Sequence, residues 1–526
     1  MKTDILIVGA GPTGLMMACQ LLRFGINFRI IDQQSEQTNE SRAFGIQARS
    51  MEIFDNLDLA EAFLRKASKI NSVNFYINGQ HELKLNFNSR ALATTPFPHI
   101  YLLPQSETEQ IFIDHLKKNG IDVERDATLE FFEQTTTAVV ARINKPSGAE
   151  TVKCQYLLGC DGAHSTVRKI AAIPFEGGEY TQMFFLADAK VIWPKDISTG
   201  FNLFFDQRGL LLQVPLTDDF ARIIGASVKD SLKQNLDLQS ITQYSRAVSH
   251  TPVIIKDIVW MAPFRLHHRV VRHYQKDRVF LLGDAAHIHS PVGAQGMNTG
   301  LQDAANLAWK LALRINALPC DQLLKTYQLE RQDIGRKLTR TTDRLFSALT
   351  SPNLLLTKIR PRLIRLALKI INQFESIQYK LFRLASQLGI SYSANDFVVE
   401  DLKRADVSLL LGPKAGARAP DAILNGSSLF QKFKNQPFNI LLFFESNEAY
   451  CAFNDKIELI KQKKHEWIEI HVLVLSEQTQ LAFHRYGVTR QAIYLIRPDG
   501  YVGFRTVQLD LDALNSYLAK LFLKVP

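Results

Sequence analysis

Cysteine is scarce. The 526 residues contain five, Cys19, Cys154, Cys160, Cys320 and Cys451, an odd number with no two spaced as CxxC. That pattern argues against a disulfide framework and against a cysteine-ligated metal site, so no metal is expected, and the thiols are expected to be reduced in a cytosolic compartment. A long uninterrupted apolar run is also missing. The nearest candidate, residues 5–22, follows Asp4 and is broken by Gly9, Gly11, Pro12 and Gly14, so it reads as neither export signal nor membrane span. Nor is positive charge spread as on a nucleic-acid-binding face. The net charge is +10, yet residues 322–392 hold thirteen Lys/Arg against four Asp/Glu, a surplus of nine on one helical stretch between two other units. No nucleic-acid partner is expected. The remaining composition, 46% apolar and 22% charged, is that of a soluble globular protein of roughly three to four domain-sized units.

Residues 3–32 read TDILIVGAGPTGLMMACQLLRFGINFRIID: an apolar strand, a glycine turn, a helix and a second strand ending in an acid. This is the dinucleotide fingerprint in its expected context. Gly9 makes the turn and Gly11 lets the backbone reach a pyrophosphate. Pro12 and Thr13 lie in the same turn, Gly14 lets helix and strand pack closely, and Asp32 can accept hydrogen bonds from a ribose diol. The fingerprint leaves NAD and FAD both open.

Residues 278–314 form the second polar site. Val279 to Leu282 suit a buried parallel strand, and Gly283-Asp284 ends it with a carboxylate at the edge where open α/β sheets bind ligands. Apolar residues at Leu301, Ala305, Ala308, Leu311 and Ile315 predict a helix beginning near Gly296-Met297-Asn298, whose amino end offers free N–H groups and partial positive charge. Three further segments carry polar residues at element junctions. Arg42 and Arg49 lie in or near a loop opening a helix. Gln105 lies in a strand-to-helix loop before a Ser106-x-x-Glu109 capping box. Asp161 and Gly162 join a strand to a helix start carrying Ser165 and Arg168, which returns the chain to the same sheet edge.

From residue 174 to 277 the pattern turns to alternating runs, at 184–193, 201–215, 221–228 and 254–266, which predict an antiparallel sheet inserted into the nucleotide-binding unit. Phe184, Phe185, Trp193, Phe201, Phe204 and Phe205 crowd it and could wall a ligand pocket or fill a core. Beyond Pro361, Leu363, Ala367, Ile370, Phe374, Ile377, Leu381, Leu384 and Leu388 form a heptad seam. Ile364, Leu366, Ile371 and Phe382 widen it, favouring packing on the protein's own body over a homodimer contact or membrane-surface docking. After Gly412-Pro413 come a strand (439–444), a helix (449–461), a strand (468–475), a hairpin at Pro498-Asp499-Gly500 and a closing helix. This is a thioredoxin-like order in which lone Cys451 excludes dithiol exchange and leaves a role in structure or assembly.

The GAGPTG turn with Asp32, the Asp161-Gly162 turn with Ser165 and Arg168, and the Gly283-Asp284 loop together resemble the FAD-dependent aromatic hydroxylases of para-hydroxybenzoate hydroxylase-like fold. SRAFGIQARSMEIF, GDAAHIHSPVGAQGMNTGLQDAANLAWKL and SQLGISYS are similar to the phenol, pentachlorophenol and polyketide hydroxylase branch, which carries a C-terminal thioredoxin-like domain. The resemblance implies an α/β fold. Residues 1–173 and 278–350 would form a Rossmann-like FAD-binding domain, 174–277 the inserted antiparallel substrate sheet, 351–395 a helical middle segment and 396–526 the thioredoxin-like domain.

The same resemblance implies FAD as cofactor, NADPH or NADH as transient reductant, and a small aromatic substrate that receives one oxygen atom from O2 through a flavin C4a-hydroperoxide. Gly9, Gly11 and Thr13 would wrap the pyrophosphate and Asp32 would hold the adenosine ribose. Arg42 and Gln105 would meet the pyrophosphate and ribityl region, Asp284 the ribityl chain, and Gly296, Met297 and Asn298 the flavin ring. Asp161 and Gly162, supported by Arg168, would contact pyrophosphate and nicotinamide nucleotide, and Pro291 would present its carbonyl to the substrate hydroxyl. His287 and His289 read as structural hydrogen bonders. Ala294, His164 and Ser290 depart from the branch's usual glycine, arginine and proline. Epoxidation, Baeyer–Villiger insertion and a non-catalytic flavin scaffold stay open as alternatives.

Overall fold

The computed structural model describes residues 2–37, 43–86, 94–194, 197, 200–216, 220–227, 236–288, 295–316, 321–350, 354–401, 411–463, 466–506 and 509–522. Arg42, His289, Ser290, Pro291 and Ala294 lie outside the described residues.

The nucleotide-binding sheet is built from short apolar strands. Ile5–Val8 pairs in parallel with Phe28–Ile31 on one side and Tyr156–Gly159 on the other, and Val279–Leu281 adds in parallel beyond Tyr156–Gly159. All four are buried or nearly so, as expected of parallel strands covered on both faces. Among the described residues of this sheet only the edge strand Gln275–Lys276 runs antiparallel. Because these strands point the same way, the turns that follow them emerge at one edge, although they lie some 270 residues apart in sequence.

The second sheet has eight strands and is wider than residues 174–277. Phe175–Ile192, Phe201–Asp206, Gly209–Pro215, Phe220–Ser227 and Ile254–Val271 come from that span. Ser72–Ile77 and Gln80–Asn86 come from the amino-terminal segment, with Val73 in parallel register with Phe201, and the short strand His287–Ile288 adds beside Ile254–Val271. Between residues 236 and 253 the chain forms a helix, Leu238–Ser249, started by a capping box between Asp237 and Ser240. It covers one face of the sheet, where Tyr76, Phe185, Phe204, Leu211 and Ile223 pack with Ile241, Tyr244 and Val248. The opposite face turns Phe75, Phe201, Leu212 and Ile224 toward Phe44, Ala48 and Phe382. The two-residue period thus divides the aromatic residues: Phe185 and Phe204 fill a core, and Phe201 looks toward the nucleotide-binding unit.

The helical segment consists of Asp321–Thr350, Leu354–Gln373 and Glu375–Ala385. It packs on the protein's own body, in Leu354–Gln373 through a different stripe from the predicted seam and further on with the seam's Leu388 buried. Leu368, Ile364 and Ile371 cover Ile77, Leu83 and Phe205 at the sheet edge, and Phe382 and Leu388 join the cluster around Phe44. Leu363, Ile370, Phe374 and Leu384 of the seam are exposed. The reason is that Leu354–Gln373 has two apolar stripes, and the sheet takes the one that complements its edge.

The carboxyl-terminal unit is a five-stranded sheet. Phe438–Phe444 is central, parallel to Ile468–Val474 and antiparallel to Ala492–Ile496, with Val502–Thr506 and Val399–Asp401 beyond. The predicted helix at 449–461 is two pieces, Asn447–Cys451 and Asn454–Lys463. Its core merges with that of the nucleotide-binding unit, Trp309 meeting Phe438 edge-on at 5.6 Å. Among the described residues no helix is long and apolar enough to cross a membrane.

The two faces of Leu354–Gln373 should respond differently to truncation. Leu368→Ala empties a buried site and is expected to cost about 2–5 kcal/mol, whereas Leu363→Ala, at a residue 54% exposed, should change stability by less than about 0.5 kcal/mol. Thermal melts of the two variants would distinguish them, and equal losses would contradict the packing described.

Candidate functional site

Three turns close on one another at the carboxyl edge of the parallel sheet, and glycine lets them do so. At Gly9, with φ +101°, a Cβ would lie 2.5 Å from the carbonyl oxygen of Cys160, so the first turn rests directly on the backbone of the second. At Gly283, with φ +57°, a Cβ would lie 2.5 Å from Thr13 Oγ1, and one at Gly300 would lie 2.3 Å from the same atom. Thr13 therefore fills the notch between the third turn and the helix that follows it. The sheet topology brings Gly9, Thr13, Asp161 and Gly283 together as the sequence predicted.

Two helices begin at this edge, Pro12–Arg23 and Gly296–Ile315, and neither has a side-chain cap or an acid in its first turn. Their amino-terminal N–H groups and dipoles favour an anion. A Cβ built on Gly11 meets nothing within 4 Å, so the first helix start faces open space. Asp32 stands beside it, accepting from the N–H of Ala10 (2.6 Å) and of Gln34 (2.9 Å). Asp284 is exposed in the short 3-10 turn Gly283–Ala285, and Gly296 and Met297 are half-buried at the second helix start. An anion cradle, a carboxylate for a diol and a second positive helix end fit a bound FAD.

Other predicted residues are used internally. Asp161 has both oxygens engaged: it accepts from Ser165 Oγ (2.5 Å) and from the N–H groups of Thr166 (2.7 Å) and Val167 (3.1 Å), and so starts the helix Thr166–Ile170. Burial raises its pKa, and the hydrogen bonds from Ser165, Val167 and Thr166 oppose that rise. What this turn offers a nucleotide is its backbone, held rigid with Gly162 at φ +75°. Arg168 is buried over the Phe175 ring at 4.0 Å and donates to the carbonyls of Ala285 (3.1 Å) and Ala163 (2.9 Å), tying the second turn to the third. The side chain of Asn298 accepts from the N–H of Gln47 (2.9 Å) and from Ser50 Oγ (2.7 Å) and donates to the carbonyl of Gly45 (2.8 Å). It anchors the segment after Arg42.

Gln105 is not in a loop. It is the first residue of the helix Gln105–Lys118, with Pro104 at the cap position and no side-chain cap. Ser106 therefore lies inside the helix and the expected capping box is absent. Proline's fixed φ suits a helix entry, and the carbonyl of Ala43 accepts from the N–H of Gln105 at 3.0 Å, so the neighbouring segment satisfies the helix start. The Gln105 amide donates to Glu109 Oε1 at 2.9 Å.

Sequence reasoning missed Asp303. Fully buried in Gly296–Ile315, it accepts from the Gly283 N–H (3.1 Å), from Arg331 Nε (2.7 Å), and is bonded to His287 Nε2 at 2.7 Å. His287 is thus structural, as expected. Arg331 also donates to the carbonyl of Thr299 in the first turn of the helix, at 3.1 Å. Further along the same helix Lys310 meets Glu330 at 2.8 Å, and Arg497 bonds Glu330 at 2.7 and 2.8 Å and Asp499 at 2.6 Å. Arg49, predicted beside a loop, is 2% exposed, paired with Glu52 at 2.8 Å, and it donates to the carbonyl of Asp499. One signal was available: Asp303, Asn306 and Lys310 stand three and four apart in an otherwise apolar helix, a polar stripe that must face partners.

Burial alone would raise Glu330, but the cations of Arg497 and Lys310 more than offset it and hold the carboxyl well below its ordinary value. Asp303 behaves alike: burial raises it, and Arg331 and His287 bring it below normal. Depressed carboxylates contribute stability that is present above the ordinary value, 4.5 for a glutamate, and lost as pH falls through the folded value. The melting temperature should therefore drop on acidification below that value, and Glu330→Gln should flatten this dependence while lowering stability at neutral pH. An unchanged acid slope in the variant would count against the network.

The family described as FAD binding domain matches residues 2–342. The 12-dehydrotetracycline 5-monooxygenase/anhydrotetracycline 6-monooxygenase of Streptomyces rimosus is 32% identical over 95% of this chain and 95% of its own length. The pentachlorophenol 4-monooxygenase of Sphingobium chlorophenolicum is 28% identical over 95% of this chain and 93% of its own length. Among solved structures, the anhydrotetracycline hydroxylase of Streptomyces rimosus superposes with a TM-score of 0.75 at 27% identity over 99% of both chains.

Proposed function

Because the chain belongs to the FAD binding domain family, we propose that it is an FAD-dependent monooxygenase that uses NAD(P)H and O2 to place one oxygen atom on a phenolic or polycyclic aromatic substrate. The observation that carries the reading is the pair of uncapped, acid-free helix starts, Pro12–Arg23 and Gly296–Ile315, facing the edge that also holds Asp32 and Asp284. Bound FAD supplies the redox chemistry, accepting hydride and activating oxygen, and the protein has to position it, exclude water and set the local charge.

In this reading Gly9, Gly11, Pro12, Thr13 and Gly14 receive the pyrophosphate, and Asp32 the adenosine ribose. Asp284 and Gln105 flank the ribityl chain, Arg42 is assigned to the same region by its motif in the sequence, and the backbone at Gly296, Met297 and Asn298 stabilises negative charge on the reduced ring. Asp161, Gly162 and Arg168 hold the turn that meets the transient reductant. Pro291 stands between Asp284 and Gly296 in sequence, where its carbonyl would accept the proton side of a substrate hydroxyl.

The apolar character of the sheet face bearing Phe75, Phe201, Leu212 and Ile224, packed with Phe44 and Phe382, supports an apolar aromatic substrate. One cation interrupts that face. Arg222 is 2% exposed, held at 2.7 Å on both oxygens of Asp188, and lies over the Phe44 ring at 5.2 Å. A cytoplasmic location accords with the thiol usage.

Asp284→Ala should weaken FAD binding by about 1–3 kcal/mol, the range for a lost hydrogen bond to a partner of this kind, measured by flavin fluorescence titration. Undiminished retention would remove Asp284 from the ribityl chain. The activity itself is tested with purified protein: phenols should accelerate NAD(P)H oxidation and yield a product one oxygen heavier, whose structure separates hydroxylation from epoxidation and ring-oxygen insertion. A colourless protein that takes up no added FAD would overturn the proposal.

A further inference from the structure

The helix Leu354–Gln373 carries apolar residues on two opposite sides. Ile364, Leu368 and Ile371 face the substrate sheet, and all three are buried or half-buried. About half a turn away, Ile359, Leu363, Leu366 and Ile370 recur at steps of four, three and four, and Phe374 continues the line past the helix end. All five are exposed, Leu363 and Leu366 by more than half (54% and 57%). An unbroken outward ridge of large apolar side chains on a helix already anchored by its inner face is not needed for folding.

Charge indicates what covers the ridge. The helix holds Lys358, Arg360, Arg362, Arg365 and Lys369 and no Asp or Glu. Arg362 and Lys369 are exposed on one flank of the ridge, while Arg365 turns inward to Glu82 at 2.6 Å. The following helix adds exposed Leu384 with exposed Lys380 and Arg383. A second copy of the chain would suit the apolar ridge, but a two-fold contact places each patch against itself and so sets these cations against one another. A surface that is both apolar beneath and negatively charged at its boundary satisfies ridge and flank together: acyl chains take the ridge, and phosphate groups take the cations.

We propose that the outer face of Leu354–Gln373 docks on the surface of an anionic phospholipid bilayer. The helix lies in the plane of the interface, anchored to the protein by Leu368 and presenting Leu363, Leu366 and Ile370 to the lipid. Its inner face roofs the sheet assigned to the substrate, so docking would set that sheet beside the bilayer. That consequence rests on the proposed function, and the docking itself does not.

The test is flotation of the full chain with vesicles of phosphatidylglycerol and phosphatidylcholine, against phosphatidylcholine alone. The protein should float with the anionic vesicles only, and less as salt is raised. Leu363→Glu combined with Ile370→Glu should weaken flotation at least about tenfold by removing apolar burial and adding repulsion. Arg362→Glu combined with Lys369→Glu should do the same with the ridge intact. Since all four positions are exposed, the melting temperature should be unchanged and reports whether each variant is folded. No flotation with anionic vesicles, or flotation of the ridge variant equal to the parent's, would overturn the proposal. So would a dimer seen by light scattering that the ridge substitutions dissolve, which would give the ridge to a second copy instead.

Discussion

The molecule is constrained by charges that it buries completely. Asp303 and Glu330 are both 0–2% exposed, and an ion removed from water without partners costs several kcal/mol even after relaxation. Each can persist only if its cations are in place. Asp303 requires Arg331 and the N–H of Gly283, and Glu330 requires Lys310 and Arg497. Glu330 and Arg331 are neighbours on Asp321–Thr350, so one turn of that helix fixes Gly296–Ile315 at two levels. Removing one partner leaves buried charge that the remaining partner only partly compensates, typically a loss of about 3–5 kcal/mol. The arrangement therefore tolerates few intermediate geometries. Its upper level sets the position of the Gly283 turn and of Thr299, both at the edge proposed for the flavin.

That rigidity matters because the cofactor edge is otherwise made of backbone. The two helix starts offer N–H groups, and the glycine turns offer close approach. Backbone groups cannot swing to meet a ligand as long side chains do, so their usefulness depends on how well the turns are held. Arg168 joins the second turn to the third, Asn298 joins the second helix start to the 45–50 segment, and Asp303 supports the third turn from below. The side chains that looked like ligand contacts in the sequence, Asp161 and Asn298 above all, hold the frame. The backbone they fix lies at the edge proposed for the ligand.

The sequence revealed most where the requirement is local. Glycine at positions 9, 11 and 14, an apolar strand before them and an acid at the end of the next strand are read within thirty residues, and the structure places them as read. Non-local pairing was not legible in the same way. Nothing within Ser72–Ile77 announces that it will lie parallel to Phe201–Asp206, because the partner supplies half of the pattern. Gln105 was displaced by one such partner, the carbonyl of Ala43, which replaces the side-chain cap that the local spelling suggested. The helical segment shows a third limit. A heptad seam was visible, but a helix with two apolar stripes does not say which one its own protein will use, and the edge formed by Ile77 and Leu83 decided it.

The carboxyl-terminal unit is read best from the same charges. Its exposed Cys451 has no second cysteine to work with among the described residues, so redox exchange gives no reason for its presence. Its hairpin does. Arg497 and Asp499 reach into the Glu330 site, and the Asp499 carbonyl receives Arg49, whose guanidinium lies over the Tyr501 ring at 4.9 Å. Arg418, from the loop before this unit's central strand, completes the Glu52 pair at 3.0 Å. Cations and carboxylates thus alternate across the junction, and neither side could lose the other without stranding buried charge. The helix Gly296–Ile315 takes one of its two anchors from this unit, Asn306 donating to Asp499 and Arg497 joining Glu330 beside Lys310, which makes the unit part of the candidate site's foundation.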